Sequence, residues 1–260
     1  MAQRLRPAIE PERLTTGPAG SVLVADFQPF AGHRLGESIA SAGPGLAVQQ
    51  LDPARDLAGS SSFLPLEEIA ERYARRFADT DTAPAVTVIG CGSAAVLALR
   101  IAALLAGTRT VDTVLVRPVW PGPGLIGAIL ATVRSELGLG SAAAPALTGD
   151  PATVWERVTA LLQAEVRGLA VAHGLDAEAG PLLELLERYR GWFGYLLAAQ
   201  DALGEPWTSG LDLRVYLDTH RTAAVPWRRP ATYDCRLLAP PVDKAAPSEH
   251  LARVLLGDLR

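Results

Sequence analysis

Lysine is almost absent from this 260-residue sequence: Lys244 is the only one, and arginine carries nearly all of the positive charge. With 24 basic and 28 acidic residues the net charge is −4, and no basic stripe is present to displace counterions from a nucleic-acid backbone. Cysteine is equally scarce. Cys91 and Cys235 lie far apart without metal-ligand spacing, so no metal site is expected and both read as buried free thiols. The N-terminal stretch MAQRLRPAIEPERL has charge but no apolar core after it, which is not the pattern of a secretory signal. The longest apolar stretch, Ala94 to Ala106, is broken by Arg100 and is too short to span a bilayer. The glycine-rich GCGSAA lacks the third glycine of GxGxxG, and no GxxxxGK[ST] occurs, so neither a nucleotide nor any other cofactor is expected. These absences point to a soluble, cytoplasmic protein.

What is present is a globular composition, 49% hydrophobic and 20% charged, able to bury a sizeable core and unlike a disordered chain. Short β-branched runs alternate with amphipathic segments, the pattern of a mostly parallel sheet covered by helices. SVLVADF (21–27), LAVQQLD (46–52), AVTVIG (85–90), VDTVLVRP (111–118), LDLRVYLD (211–218) and YDCRLLA (233–239) are the expected strands. Leu66, Ile69, Tyr73 and Phe77 recur at helical spacing behind Pro65. For some ninety residues after Pro118 no strand is expected. Helices are expected instead over 125–137, after the Asp150-Pro151 cap with Val154, Val158, Leu161, Leu162 and Val166 on one face, and over 182–203. The last of these carries Tyr189, Trp192, Phe193 and Tyr195, and a terminal helix is expected over 249–259. The fold class is therefore α/β, with a helical insertion.

VTVIGCGSAAVLALRIAALLAG (86–107) reads as strand, sharp glycine turn and helix. Such a turn can present a nucleophile, provided that small residues flank it where strand and helix approach closely. In one register Gly92 occupies the apex, with Cys91 before it and Ser93 after it. In the other, slipped by one, Cys91-Gly92-Ser93-Ala94-Ala95 places Ser93 at the apex, which rotates the following helix by about 100°. A plain strand-to-helix crossover, with glycines there only for packing, is the third possibility.

The chain resembles the α/β-hydrolase fold thioesterases, in particular the type II thioesterases of polyketide and nonribosomal peptide biosynthesis. Their elbow, GHSxGG or GHSxGA, aligns Gly90 with the first glycine and Ala94 and Ala95 with the two small positions. Phe27-Gln28-Pro29-Phe30-Ala31-Gly32 resembles the family's FPxAGG stretch. LPLEEIAERYARRF is similar to the helix before the elbow strand, and the aromatic helix around Tyr189 to Tyr195 to the lid that shapes the acyl tunnel. LRVYLDTHRTAAVPW resembles the strand and acid loop, and SEHLARVLLGDL the closing helix. The resemblance implies one thioesterase-like domain over 1–260 with a helical lid at roughly 120–210.

For the site, the resemblance implies oxyanion and binding contacts from Phe30, Ala31 and Ser93, a lid and acyl tunnel lined by Tyr189, Trp192 and Phe193, and a triad acid at Asp218. In this register the nucleophile's position is vacant, because Gly92 fills it. The segment APPVDKAAPSEH, where the family keeps its histidine, puts Pro241, Val242 and Asp243 in the expected place. His220, two residues after Asp218, or His33 would be a relocated base for an active Ser93. His250 falls inside the terminal helix, and His173 has no role. Cys91 as a thiolate nucleophile would need its own register slip. The implied partner is an acyl or peptidyl carrier protein and its phosphopantetheine-linked chain, with Arg72, Arg75 and Arg76 facing its acidic surface. The implied function is binding of carrier-linked thioesters without ordinary Ser-His-Asp hydrolysis. An active hydrolase using Ser93, Asp218 and His220 or His33 is the alternative.

Overall fold

The structure, a computed structural model, describes residues 9–27, 34–139, 146–174, 180–204, 211–218, 233–238 and 247–258. In chain order the elements are β1 (Glu12–Arg13), β2 (Gly20–Ala25), α1 (Leu35–Ala42), β3 (Leu46–Leu51), α2 (Pro53–Asp56) and α3 (Leu66–Thr80). Next come β4 (Ala85–Cys91), a 3-10 turn (Gly92–Ala94), α4 (Ala95–Leu105), β5 (Thr110–Val116) and α5 (Pro123–Glu136). The chain then runs through α6 (Pro151–Ala172), α7 (Gly180–Asp201), β6 (Asp212–Asp218), β7 (Tyr233–Leu238) and α8 (Pro247–Asp258). They fall into two compact units. Of the described residues, one holds those within 10–52, 67–120 and 203–258, and the other those within 53–66 and 121–202 together with Ile9.

The first unit contains a seven-stranded sheet of order β1-β3-β2-β4-β5-β6-β7, in which β1 pairs antiparallel with β3 and every other pair is parallel. Val22 to Ala25 are all buried, as continuous apolar runs require in strands covered on both faces. Side chains alternate across the pleat. Ile89 and Cys91 therefore face the cluster of Val22, Val24, Ile39, Val116 and Leu251, where α1 packs on α8. Gly90 faces α4. Eight of the eleven residues of α4 are buried, so it is a central helix, apolar almost all round. Its Arg100 pairs in a fork with Glu67 of α3. Leu66, Ile69, Tyr73 and Phe77 are all buried, as their spacing requires.

In the second unit α7 packs on α2, α5 and α6. Asp150 caps α6 by accepting the Thr153 N–H at 2.9 Å, with Pro151 in its first turn. Arg134 of α5 and Glu165 of α6 form an almost fully buried ion pair, Nε to Oε2 at 2.8 Å. The Arg190 guanidinium lies 4.7 Å from the Trp155 ring centroid, and the Trp155 Nε1–H donates to the Arg190 carbonyl at 3.2 Å. Leu161, expected on the buried face of α6, is only half-buried.

Three features depart from expectation. β1 and α2 are two and four residues long, too short to leave a periodic signal. The helix bounds shift by one to two residues at each end. Cys235, expected to be buried, is exposed, on β7, which has a neighbouring strand on one side only among the described residues. Among the described residues, no helix is long and apolar enough to cross a membrane.

The approach of α7 to α2 gives a direct prediction. A Cβ on Gly191 would lie 2.1 Å from the Ala54 carbonyl oxygen, a backbone atom that cannot swing aside. Gly191→Ala should lose about 1–3 kcal/mol from overpacking, outweighing the ~1 kcal/mol that alanine gains in a helix interior. Gly194→Ala, whose Cβ would meet the Trp155 Nε1 at 3.1 Å, should cost less. Urea denaturation midpoints of the two variants check the order, and a Gly191→Ala midpoint at or above wild type would contradict the packing described.

Candidate functional site

Strand β4 leaves the sheet in extended conformation at Cys91 (φ −105°, ψ 135°) and turns at once into the 3-10 segment. The residue that reverses direction is Gly92, at φ 55°. That left-handed conformation costs an L-residue about 1–2 kcal/mol and glycine nothing. The turn is tight for a second reason. A Cβ at Gly90 would stand 2.6 Å from the Ala98 Cβ and 2.9 Å from the Ala95 Cα, so β4 and α4 touch backbone to backbone. Ala94 and Ala95 are fully buried at the same contact. The Gly92 carbonyl accepts the Val119 N–H at 3.0 Å, which ties the segment after β5 to the turn.

The apex residue is thus Gly92. A register with Ser93 at the apex would put the left-handed residue at 93, yet Arg117 is the one described non-glycine at positive φ. Ser93 is half-buried in the 3-10 turn beside the apex. Cys91 is half-buried and packs against the apolar cluster under α1 and α8. Burial pushes its thiol well above the ordinary thiol range, the Asp26 charge pushes it further, and Arg117 pulls against both. A thiol held neutral is a poor nucleophile.

The parallel sheet brings several chain segments to the same carboxyl edge as the turn. Ala25 pairs with Gly90, and Cys91 with Val116, so Asp26 follows β2 on one side of the turn and Arg117 follows β5 on the other. Asp26 accepts the Leu35 N–H at 2.8 Å. It thereby serves as the cap of α1, whose own N-cap residue Arg34 makes no side-chain cap bond. Burial raises the Asp26 carboxyl above the usual range, against the Leu35 N–H and the Arg34 charge, which lower it. Arg34 itself bridges to Asp52 at 2.6 Å. Asp218 ends β6 on the same edge. Phe30, Ala31, His33, His220 and the segment holding Pro241, Val242 and Asp243 lie outside the described residues.

In the helical unit Tyr189 and Phe193 are both 1% exposed, whereas Trp192 is half-buried with its ring centroid 5.9 Å from that of Phe193. The buried Trp192 Nε1–H has no acceptor among the described residues. Of the three arginines expected to face a partner, Arg72 pairs with Glu68 and Arg76 with Glu10 at 3.2 Å, while Arg75 is exposed. His250 lies in α8 and His173 at the C-cap of α6. Among the described residues no group of three or more His, Cys, Asp or Glu is arranged to hold a metal ion. Asp26 and Arg117 were not singled out from sequence. The signal was there in a charged residue standing directly at the carboxyl end of a buried strand, SVLVAD and TVLVR.

No family model and no curated protein matches the sequence. Solved structures do. The Vlm2 thioesterase domain, solved with genetically encoded 2,3-diaminopropionic acid and a bound dodecadepsipeptide, is similar with a TM-score of 0.58 at 16% identity, over 96% of this chain and 97% of that one. The NocB thioesterase domain, solved as a covalent complex with a fluorophosphonate nocardicin G analogue, is similar with a TM-score of 0.56 at 20% identity, over 94% of this chain and 96% of that one. The four-domain nonribosomal peptide synthetase AB3403 is similar with a TM-score of 0.57 at 15% identity, over 98% of this chain and 20% of that one. The fold is therefore the α/β-hydrolase fold that these thioesterase domains share, as the sequence resemblance implied.

The buried acid beside the turn sets a pH dependence. Because the carboxyl of folded Asp26 is raised, its ionisation costs the native state stability that is intact at low pH and lost as pH rises through the folded value. Asp26→Asn keeps an oxygen to accept the Leu35 N–H and removes the charge. It should be more stable than wild type at pH 7, with the gain shrinking to nothing as pH falls below the unfolded carboxylate range. Thermal melts of both proteins across pH 3–8 test this, and a gain that grows towards acid would reverse the sign.

Proposed function

We propose that this is a thioesterase-like protein of nonribosomal peptide or polyketide biosynthesis that binds carrier-protein-linked acyl or peptidyl thioesters without ordinary Ser-His-Asp hydrolysis. Gly92 carries the proposal: the left-handed apex of the elbow, at φ 55°, has no side chain to attack a carbonyl. Ser93 and Cys91 are off the apex, and burial holds the thiol neutral. The fold shared with Vlm2 and NocB thioesterase domains supplies the setting.

The backbone parts of the elbow survive the loss of the nucleophile. The N–H groups at the start of the 3-10 turn and α4 can polarise a thioester carbonyl, since donors fixed at a helix N-terminus favour developing negative charge. Together with amides contributed near Phe30 and Ala31, they would hold the carbonyl, and Asp218 would be the residual triad acid. By the resemblance, the aromatic helix carrying Tyr189, Trp192 and Phe193 would be the lid segment that shapes an acyl tunnel. The exposed Arg75, with Arg72 and Arg76 beside it, would meet the acidic carrier. The chain is one functional domain with the helical segment of roughly 120–210 as its lid, acting in the cytoplasm as a pseudoenzyme.

Purified protein incubated with acyl-carrier and short acyl-thioester substrates tests this. Carrier-dependent binding with neither turnover nor a covalent adduct is the expected result. An adduct mapped to Ser93 by mass spectrometry, with turnover abolished in Ser93→Ala, would overturn it in favour of a hydrolase using Ser93, Asp218 and His220 or His33. Gly92→Ser alone should not produce hydrolysis without a histidine in place. It should also lose about 1–2 kcal/mol of stability from placing a Cβ at positive φ, which chemical denaturation measures.

A further inference from the structure

The last strand of the sheet, β7, has a neighbouring strand on one side only among the described residues. A strand so placed presents a row of backbone N–H and C=O groups on its far side. Natural proteins blunt such edges with charged side chains, lysine above all, since like charges on two copies keep them apart. The charges of β7 are arranged otherwise. Asp234 and Arg236 flank Cys235 on one face of the sheet, where they form an exposed ion pair at 2.8 Å. On the same face the Arg236 Nη1 bonds Asp258 of α8 at 2.6 Å, with the guanidinium 6.0 Å from the Tyr216 ring centroid. The other face presents Cys235, which is exposed, and Leu237, at 67% exposure. Register sets Cys235 beside Val215 and Leu237 beside Leu217. Val215 is buried, so an apolar stripe of the core runs out to the surface at β7.

We propose that β7 pairs antiparallel with the β7 of a second copy of this chain, about a twofold axis at Cys235, joining two sheets edge to edge. Such an axis sets Asp234 opposite Arg236 of the partner subunit, Arg236 opposite Asp234 of the partner subunit, and the two Cys235 residues opposite each other. One symmetry operation thus makes two cross-strand ion pairs at once. Parallel in-register pairing would set like charge beside like charge. A slip of one residue would set Arg236 opposite a cysteine and Asp234 opposite a leucine, with no ion pair left. Arg236 can serve both contacts, because a guanidinium carries five N–H donors and its bond to Asp258 uses Nη1, not the Nε that meets Asp234. Directly opposite residues of an antiparallel pair have Cα atoms about 4.5–5.5 Å apart, a span that a disulfide bridges, so the thiols report the pairing. Six residues a side make a small contact, and the dimer therefore exchanges with monomer by mass action.

Sedimentation of the purified chain over a range of concentrations should show a reversible monomer–dimer equilibrium. Diamide takes two electrons and two protons from a pair of thiols as their S–S bond forms, and is itself reduced to the hydrazine. It should trap the dimer as a Cys235–Cys235 disulfide, which Cys235→Ser abolishes. Asp234→Lys and Arg236→Glu each set like charges opposite one another, and each alone should dimerise about tenfold more weakly. Mixed together they regain two attractive pairs, so mass spectrometry of the oxidised mixture should find the heterodimer in large excess over either homodimer. Asp234→Lys leaves the Arg236–Asp258 bond in place and carries the test alone if thermal melts show that Arg236→Glu does not fold. Wild type that stays monomeric and is trapped no faster than Asp234→Lys overturns the pairing and leaves the edge to another chain. A dimer unchanged in Asp234→Lys places the interface elsewhere and equally overturns it.

Discussion

Everything at the candidate site follows from how closely β4 and α4 approach each other. With a Cβ at Gly90 set to fall only 2.6 Å from that of Ala98, the strand can pass into the helix only through a reversal compressed into one residue. That residue must be left-handed, and Gly92 is. The same closeness explains the run of small residues on either side and the alanine-rich start of α4. It also sets the neighbours of the apex: pleat alternation sends Cys91 into the apolar cluster beneath α1 and α8 while Gly90 faces α4. A turn this tight leaves one position at its apex, and Gly92 fills it.

The parallel sheet does the rest of the assembly. Because β2, β4, β5 and β6 are parallel neighbours, their carboxyl ends meet at one edge, which is where ligands bind in open α/β sheets. Asp26, Gly92, Arg117 and Asp218 come from four distant parts of the chain and are brought into a row by hydrogen-bond register alone. Asp26 also closes the start of α1, so it is tied to the fold and to the electrostatics of the edge at once. The aromatic helix α7 belongs to the other compact unit, and its close contacts, Gly191 on Ala54 and Gly194 on Trp155, are met by glycines within one turn of each other.

The sheet and its covering helices were legible because buried parallel strands and amphipathic helices leave unmistakable apolar periods. Leu66, Ile69, Tyr73 and Phe77 could be assigned to one buried face from spacing alone, and Asp150-Pro151 announced its helix. The apex was legible only as a pair of registers. Sequence cannot distinguish Gly92 from Ser93 at the turn, because the difference lies in a single backbone dihedral. Arg117 and Asp26 were invisible for a related reason: their meaning comes from cross-strand register, which links residues some ninety positions apart. Cys235 was misjudged because a cysteine in a strand reads as buried, and only the strand order shows that β7 is outermost among the described strands.

In an active elbow, the strain of a left-handed residue sits on the nucleophile itself, and the fold tolerates it because the exposed hydroxyl does the chemistry. Here Gly92 takes a left-handed φ without steric cost. The one described side chain at positive φ is one strand away, at Arg117, before a proline and beside two backbone hydrogen bonds, Arg117 to Tyr216 and Val119 to Gly92.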